Sequence, residues 1–221
     1  MCGRYTLLAE EAEILKEFGI ANHIEGFEPR FNIAPGQKVL AVIDDGKQRR
    51  AGFMKWGLVP SWSKDPKVGY KMINARSETA HEKPSYKKLM SQKRCLIIAD
   101  GFYEWKKTDD GKQPVRIQTE GRSLFAFAGL WDRWENGDES LFTCTILTQE
   151  ANDFIRPIHN RMPVILPREK QNQWIEPVKW DPHEAKGFVE QLSMDDLTYY
   201  EVSDYVNSPK NAGEECIQSL T

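Results

Sequence analysis

Apolar positions near the start of the chain recur at helical spacing. In residues 7–18, LLAEEAEILKEF, the side chains Leu7, Leu8, Ile14, Leu15 and Phe18 fall on one stripe, and Gly19 stops the run. This pattern predicts a helix over 7–18. Farther along, apolar residues gather into short blocks at 39–43, 53–56, 95–99, 115–118, 124–130 and 141–147, each of which reads as a strand. Helical spacing returns at 86–92, 149–155, 168–174 and 184–192, and Pro84 interrupts the pattern ahead of the first. Strands dominate the middle, short helices surround them, and no regular strand–helix alternation runs through. The expected architecture is α+β with a largely antiparallel or mixed sheet. No repeat, low-complexity tract or linker divides the 221 residues, so a single domain over 1–221 is expected.

Composition narrows the class. With 40% apolar residues, among them seven Trp and ten Phe, the chain can bury a real core. That excludes a disordered chain, a coiled coil and a disulfide-stapled miniprotein. No run approaches the roughly 20 apolar residues of a membrane span, and the opening MCGRYTLLAEEAEIL lacks a basic stretch followed by an apolar block. A soluble, cytoplasmic protein without a membrane partner is expected.

Charge is unevenly placed. Residues 46–94 hold 13 Lys and Arg against three Asp and Glu, a local +10 in a chain of net charge −3, which leaves −13 elsewhere. A basic block is what a nucleic-acid face requires, because phosphates are neutralised locally. The alternative is a solvated lysine-rich surface. Interleaved aromatics (Phe53, Trp56, Trp62, Tyr70) favour single strands, whose exposed bases stack.

Four cysteines (Cys2, Cys95, Cys144, Cys216) are scattered without a Cys-x-x-Cys or closely spaced His pair, so no metal site is predicted. Cys95 and Cys144 lie within apolar runs and read as small core residues. Cys2 differs. Removal of Met1 would make it the N-terminal residue, with an α-amine of pKa about 7.7–8.0 beside a thiol of about 8.5. The amine can form a Schiff base with an aldehyde, and the thiol can then close a five-membered thiazolidine. Glu104 sits among Phe102, Tyr103 and Trp105, surroundings that would raise a carboxyl pKa and suit a proton shuttle. Pairing with Lys106 or Lys107 is its structural alternative. His159 and Arg161 stand at the mouth of the apolar run MPVIL, and Asn74 alone would read as a turn residue.

Taken in order, MCGRY, FNIAPGQ (31–37), WGLVPSW (56–62), INARSET (73–79), ADGFYEWKK (99–107), IHNRMPVIL (158–166) and VNSPKN (206–211) with ECI (215–217) resemble the SRAP family across the whole chain. That family is the SOS-response-associated peptidase, or abasic-site-processing, group. The resemblance implies a compact α+β domain around a mixed, barrel-like sheet with peripheral helices. It implies a monomeric sensor of abasic sites in single-stranded DNA that needs no cofactor and joins the nucleoid during DNA damage. Carried over by motif, Cys2 would be the nucleophile and form the DNA–protein crosslink. Asn74 would bond the opened sugar, Glu104 would move protons, and His159 would position the sugar and assist elimination or reversal. Arg4, Arg76 and Arg161 would contact phosphates, while Asn32, Pro35, Trp62 and Trp105 would shape the groove. Some relatives carry a second aromatic after the last Trp of WGxxPxW; Ser63 stands there, which weakens the case for a stacking wedge at Trp62.

Three other readings stay open on the sequence. Cys2 could attack the bond before it as a self-processing thiol peptidase. The Met-Cys-Gly start also suits an amidotransferase, but its Asn-Gly signature occurs only at Asn136-Gly137, in a polar stretch that reads as a hairpin turn. A non-covalent single-strand shield is the third.

Overall fold

The computed structural model describes residues 2–121 and 123–220, so the expected cleavage after Met1 falls outside it. Where the apolar spacing predicts a helix from residue 7, the chain instead forms strand β1 (Tyr5–Leu7) and only then helix α1 (Glu11–Phe18). Pairing on both edges and Asp100 are the causes. The Asp100 carboxylate accepts from Thr6 Oγ1 and from the backbone N–H groups of Leu8 and Ala9, which holds that stretch extended. Gly19 ends α1 as expected, at φ +59°, with its N–H bonded to Leu15 O.

Strands β2 (Arg30–Ile33), β3 (Lys38–Asp44), β4 (Arg49–Trp56) and β5 (Asn74–Arg76) follow, then helices α2 (Ser77–Ala80) and α3 (Pro84–Gln92). Pro84 opens α3 at its first turn, where a missing N–H is tolerated. Long strands come next: β6 (Arg94–Ala99), β7 (Gly101–Thr108), β8 (Gly111–Thr119), β9 (Phe125–Asn136) and β10 (Glu139–Glu150). The chain closes with β11 (Arg161–Pro163), β12 (Ile165–Leu166), α4 (Arg168–Ile175), α5 (Pro182–Glu190) and β13 (Leu197–Glu201).

The helix expected over 149–155 does not form. β10 runs on to Glu150, and residues 151–160 make a closed loop. Ala151 N–H donates to Asn160 O at 3.1 Å, and Asn152 Oδ1 takes the Ile155 N–H at 2.9 Å. A side-chain acceptor there competes with helix propagation. Asn136-Gly137 is the expected turn: β9 and β10 pair directly from Asn136↔Glu139, with Gly137 at φ +58°.

Pairing of β10 with β4, β4 with β3, β3 with β6, β6 with β9 and β9 with β10 closes a five-stranded barrel. Only its β4–β10 seam is parallel, so the sheet is mixed. β5 joins β10 in parallel outside that ring. A second, antiparallel sheet runs β13-β8-β7-β1-β2. The six residues of β6 are all buried, Cys95 and Cys144 fully so, as expected of small core residues.

The basic block does not form one face. Arg94 is buried and donates to the carbonyls of Met90, Ser91, Trp174, Glu176 and Val178; burial lowers its pKa to about 10. Lys93 pairs with Asp132, Arg50 with Asp45, and Arg49 with Phe18 O. Trp56, counted among the stacking aromatics, is a fully buried core residue. No helix among the described residues is long and apolar enough to cross a membrane.

Candidate active site and nucleic-acid interface

Cys2 lies at the junction of the two sheets. It precedes β1, and Tyr103 N–H of β7 donates to Arg4 O at 2.9 Å, which fixes the N-terminal strand beside Glu104. From the barrel side, Asn74 heads β5 opposite Ile146 of β10 and donates through Nδ2 to Cys2 O at 2.9 Å. The other side-chain atom, Asn74 Oδ1, is buried without a hydrogen-bond partner among the described residues. A buried bare acceptor is expensive unless something fills it.

Cys2 is fully buried. Burial, reinforced by the Glu104 charge, pushes its thiol pKa well up, against a contribution from the Arg4 backbone N–H. The thiol is therefore neutral at pH 7. Glu104 is 3% exposed, and burial raises its carboxyl above the usual range even though the nearby His159 pulls it down. Lys106, its sequence-level alternative partner, reaches Tyr199 instead. His159 Nδ1 lies 2.9 Å from the Arg161 N–H and 3.1 Å from the Arg161 carbonyl. The ring thus has a partner on that edge in either protonation state.

Cys2, Asn74, Glu104 and His159 are thus brought together. The predicted nucleic-acid contacts divide into two groups. Arg76 and His159 line an open cleft of about 670 Å³, joined by Arg156, Glu150 and the edge of Arg161. Arg161 itself is turned inward, with both terminal nitrogens on Glu78 at 2.6 and 2.9 Å and a bond to Thr148 O. Arg156 was missed in the sequence; a basic residue three positions before His159 was the available signal.

Arg4, Asn32 and Trp105 face the chain's own segment 206–211. Arg4 Nη1 donates to Asn32 Oδ1 and Val206 O, Asn32 Nδ2 to Ser208 O and Asn211 O, and Trp105 Nε1 to Asn207 Oδ1 at 2.7 Å. Arg4 also packs over the Trp105 ring. Asn32→Ala is expected to destabilise the fold by about 2–4 kcal/mol in urea unfolding, because it strands the Ser208 and Asn211 carbonyls and one Arg4 donor. An unchanged midpoint would remove this clamp from the account.

Trp62 is 67% exposed, yet its backbone is pinned on both sides: Ser61 N–H donates to Asp132 at 2.8 Å, and Ser63 O accepts from Trp134 Nε1 at 2.7 Å. Gly57 (φ +130°) anchors the same loop, since a Cβ there would stand 2.6 Å from Gly69 O. Half-buried Pro35 precedes Gly36, whose Cβ position lies 3.4 Å from the ring of Tyr70, itself exposed. No group of three His, Cys, Asp or Glu that could hold a metal occurs among the described residues.

A mixed barrel holds Cys2 buried beside a carboxyl of raised pKa, with an arginine-lined cleft alongside. The chain belongs to the SOS response associated peptidase (SRAP) family, which matches residues 1–209. It is similar to the abasic site processing protein YoqW of Bacillus subtilis, 47% identical over 223 residues, covering 99% of this chain and 100% of that one. The abasic site processing protein YoaM of the same organism is 44% identical over 223 residues, covering 99% and 98%. A crystal structure of a protein from Bacteroides thetaiotaomicron superposes with a TM-score of 0.89 over all of both chains; at 22% identity it shows the shared fold.

Proposed function

We propose that this protein captures abasic sites in single-stranded DNA as a covalent adduct of Cys2, acting as a monomeric single domain. The observation that carries this reading is the grip of Asn74 on Cys2 beside buried Glu104. Relatives named for abasic site processing match nearly the whole chain.

Removal of Met1 frees the α-amine, and the same thiol suits attack on the preceding peptide bond. The amine adds to C1′ of the ring-opened sugar, whose aldehyde is the electrophile. Protonated Glu104 gives its proton to the departing hydroxyl, water leaves, and an iminium remains. The Cys2 thiol returns a proton to Glu104 as its sulfur bonds C1′. A thiazolidine and one water are the products, and Glu104 ends as it began. Asn74 Oδ1 accepts from a hydroxyl of the opened sugar, and His159 positions that sugar and assists reversal or β-elimination. Arg76 and Arg156 contact flanking phosphates, with Arg161 holding the cleft wall through Glu78. Trp62 and Pro35 keep neighbouring bases apart, while Arg4, Asn32 and Trp105 act from behind by fixing the N-terminal strand.

The test mixes Met1-free protein with abasic, borohydride-reduced abasic and intact oligonucleotides on a denaturing gel. A heat-stable shifted band is expected with the abasic strand alone; a band with the reduced strand overturns the reading, since no aldehyde is present. Arg76→Ala is expected to weaken intact and abasic strands alike and to flatten the log–log salt dependence by about 0.7. A loss confined to abasic strands would assign Arg76 to the sugar instead.

A further inference from the structure

Most of the lysines in the basic block play no part in the site just described. Two of them, Lys87 and Lys88 on α3, converge with Lys179 on a second cleft, about 650 Å³ in volume, between α3 and the start of α5. All three are exposed, and none makes an ion pair or an ammonium hydrogen bond among the described residues. The acid on this wall is Asp181, and its carboxylate is engaged in capping α5, taking the His183 N–H at 2.8 Å. The cleft therefore presents three cations against a single carboxylate, which is turned to the N-terminus of α5.

Trp180 lines the cleft, and the buried Arg94 guanidinium stacks on that ring at 4.3 Å from its centroid while bonding only main-chain carbonyls. Ser91 Oγ fixes the ring's own backbone by donating to Trp180 O. A rigid aromatic wall among unpaired lysines suits a polyanion carrying flat groups.

The two clefts lie within reach of one strand. Arg76 of the first cleft is followed directly by the single turn of α2, three residues of turn and bend, and α3. Summing 1.5 Å per helical residue and at most about 3.5 Å per extended residue puts the Lys87 Cα no more than about 25 Å from that of Arg76. Stacked nucleotides rising about 3.4 Å each cover that span in about seven.

We propose that the α3–α5 cleft is a second nucleic-acid subsite, which takes the phosphate backbone of the strand leading away from the captured position. The proposal rests on the single-strand reading above and adds a length requirement to it: short strands fill the first cleft, longer ones fill both.

The experiment compares the parent with K87Q/K88Q/K179Q. Two probes are used: a five-nucleotide strand with a central abasic site, and intact strands of five and twenty nucleotides. Crosslinking of the short abasic strand is expected to be the same in both proteins, which also reports an intact fold and site. Binding of the intact 20-mer is expected to lose about 2 from its log–log salt slope, three contacts at about 0.7 each, so that raising salt from 50 to 200 mM weakens the parent about 16-fold more than the variant. The intact 5-mer should show no such difference. An equal 20-mer slope in the two proteins overturns the proposal. So does a variant that keeps the 20-mer slope but loses a poly-glutamate peptide bound by the parent, which would make the cleft an acidic-peptide site. If the parent fails to crosslink the short abasic strand, the covalent reading falls, and the 20-mer slopes still decide the subsite.

Discussion

Met1-free Cys2→Ser is expected to form no heat-stable adduct with abasic DNA, whereas the parent is expected to convert the same strand to a durable shifted band. Serine keeps the α-amine, so the imine can still form and be trapped by borohydride. Its hydroxyl is a far weaker nucleophile than sulfur, so the ring does not persist. Burial alone does not account for the loss: Cys2 is fully enclosed, but serine is nearly isosteric, and binding of intact single strands should be preserved as the control. Protein that retains Met1 should behave in the opposite way. It keeps the thiol but lacks the amine, so neither imine nor ring appears. The high thiol pKa sharpens the order of events. On the proposed reading, a neutral, buried thiol is a poor first attacker, so the amine would lead and sulfur would follow once an iminium is in place to receive it. The hypothesis would be falsified if Cys2→Ser formed the heat-stable band as durably as the parent. A passive binder would be indifferent to both changes, and a thiol peptidase would ignore the aldehyde.

Strands that fill the barrel wall were legible because they are apolar on both faces. The blocks inside β3 and β6 carry continuous apolar runs, and a barrel filled within and covered without needs that composition. Strands β1, β5 and β7 were not legible. β1 and β5 are three residues long, too short for any period to show. β7 mixes buried Phe102, Tyr103 and Glu104 in succession, and its one buried carboxyl breaks the apolar pattern. The false helix at residue 7 is overridden by partners elsewhere in the chain: the pairing of β1 with β2 and β7 and, 93 positions away, the Asp100 carboxylate on Leu8 and Ala9. Local spacing carries no trace of such partners.

The site divides along the same line. Residue chemistry named Cys2 and Glu104, the family resemblance added Asn74 and His159, and pairing between distant strands brings the four together. Which arginines face outward is set by partners that the local sequence leaves unmarked. Arg161 is claimed by Glu78, Arg94 by five carbonyls, and Arg4 by the 206–211 segment, while Arg76 and the unheralded Arg156 line the cleft. A block count of +10 overstates the field for this reason: its charges point into the protein as well as out of it.

Glu104→Gln is expected to slow crosslinking by roughly 10²–10⁴-fold while leaving the affinity for single strands nearly unchanged, since general acid–base catalysis contributes about that much. The amide keeps the shape of the side chain but neither gives a proton to the departing hydroxyl nor takes one from the thiol. Stability should move the other way. Burial raises the Glu104 pKa, so the folded state favours the protonated acid. The stability that this preference brings is complete below the ordinary carboxyl value of 4.5 and is lost as pH rises through the raised one. Glutamine has no such titration. The variant should therefore unfold at a higher temperature than the parent at pH values above the raised pKa, and the advantage should shrink as pH falls toward 4.5. Crosslinking by the parent should decline above the raised pKa, as the acid form disappears, and the variant's slow rate should lack that limb. A structural role for Glu104 predicts the reverse pairing, lower stability with an unchanged rate. Rapid-quench crosslinking and thermal unfolding across the same pH series separate the two, because proton transfer and burial act on Glu104 with opposite signs.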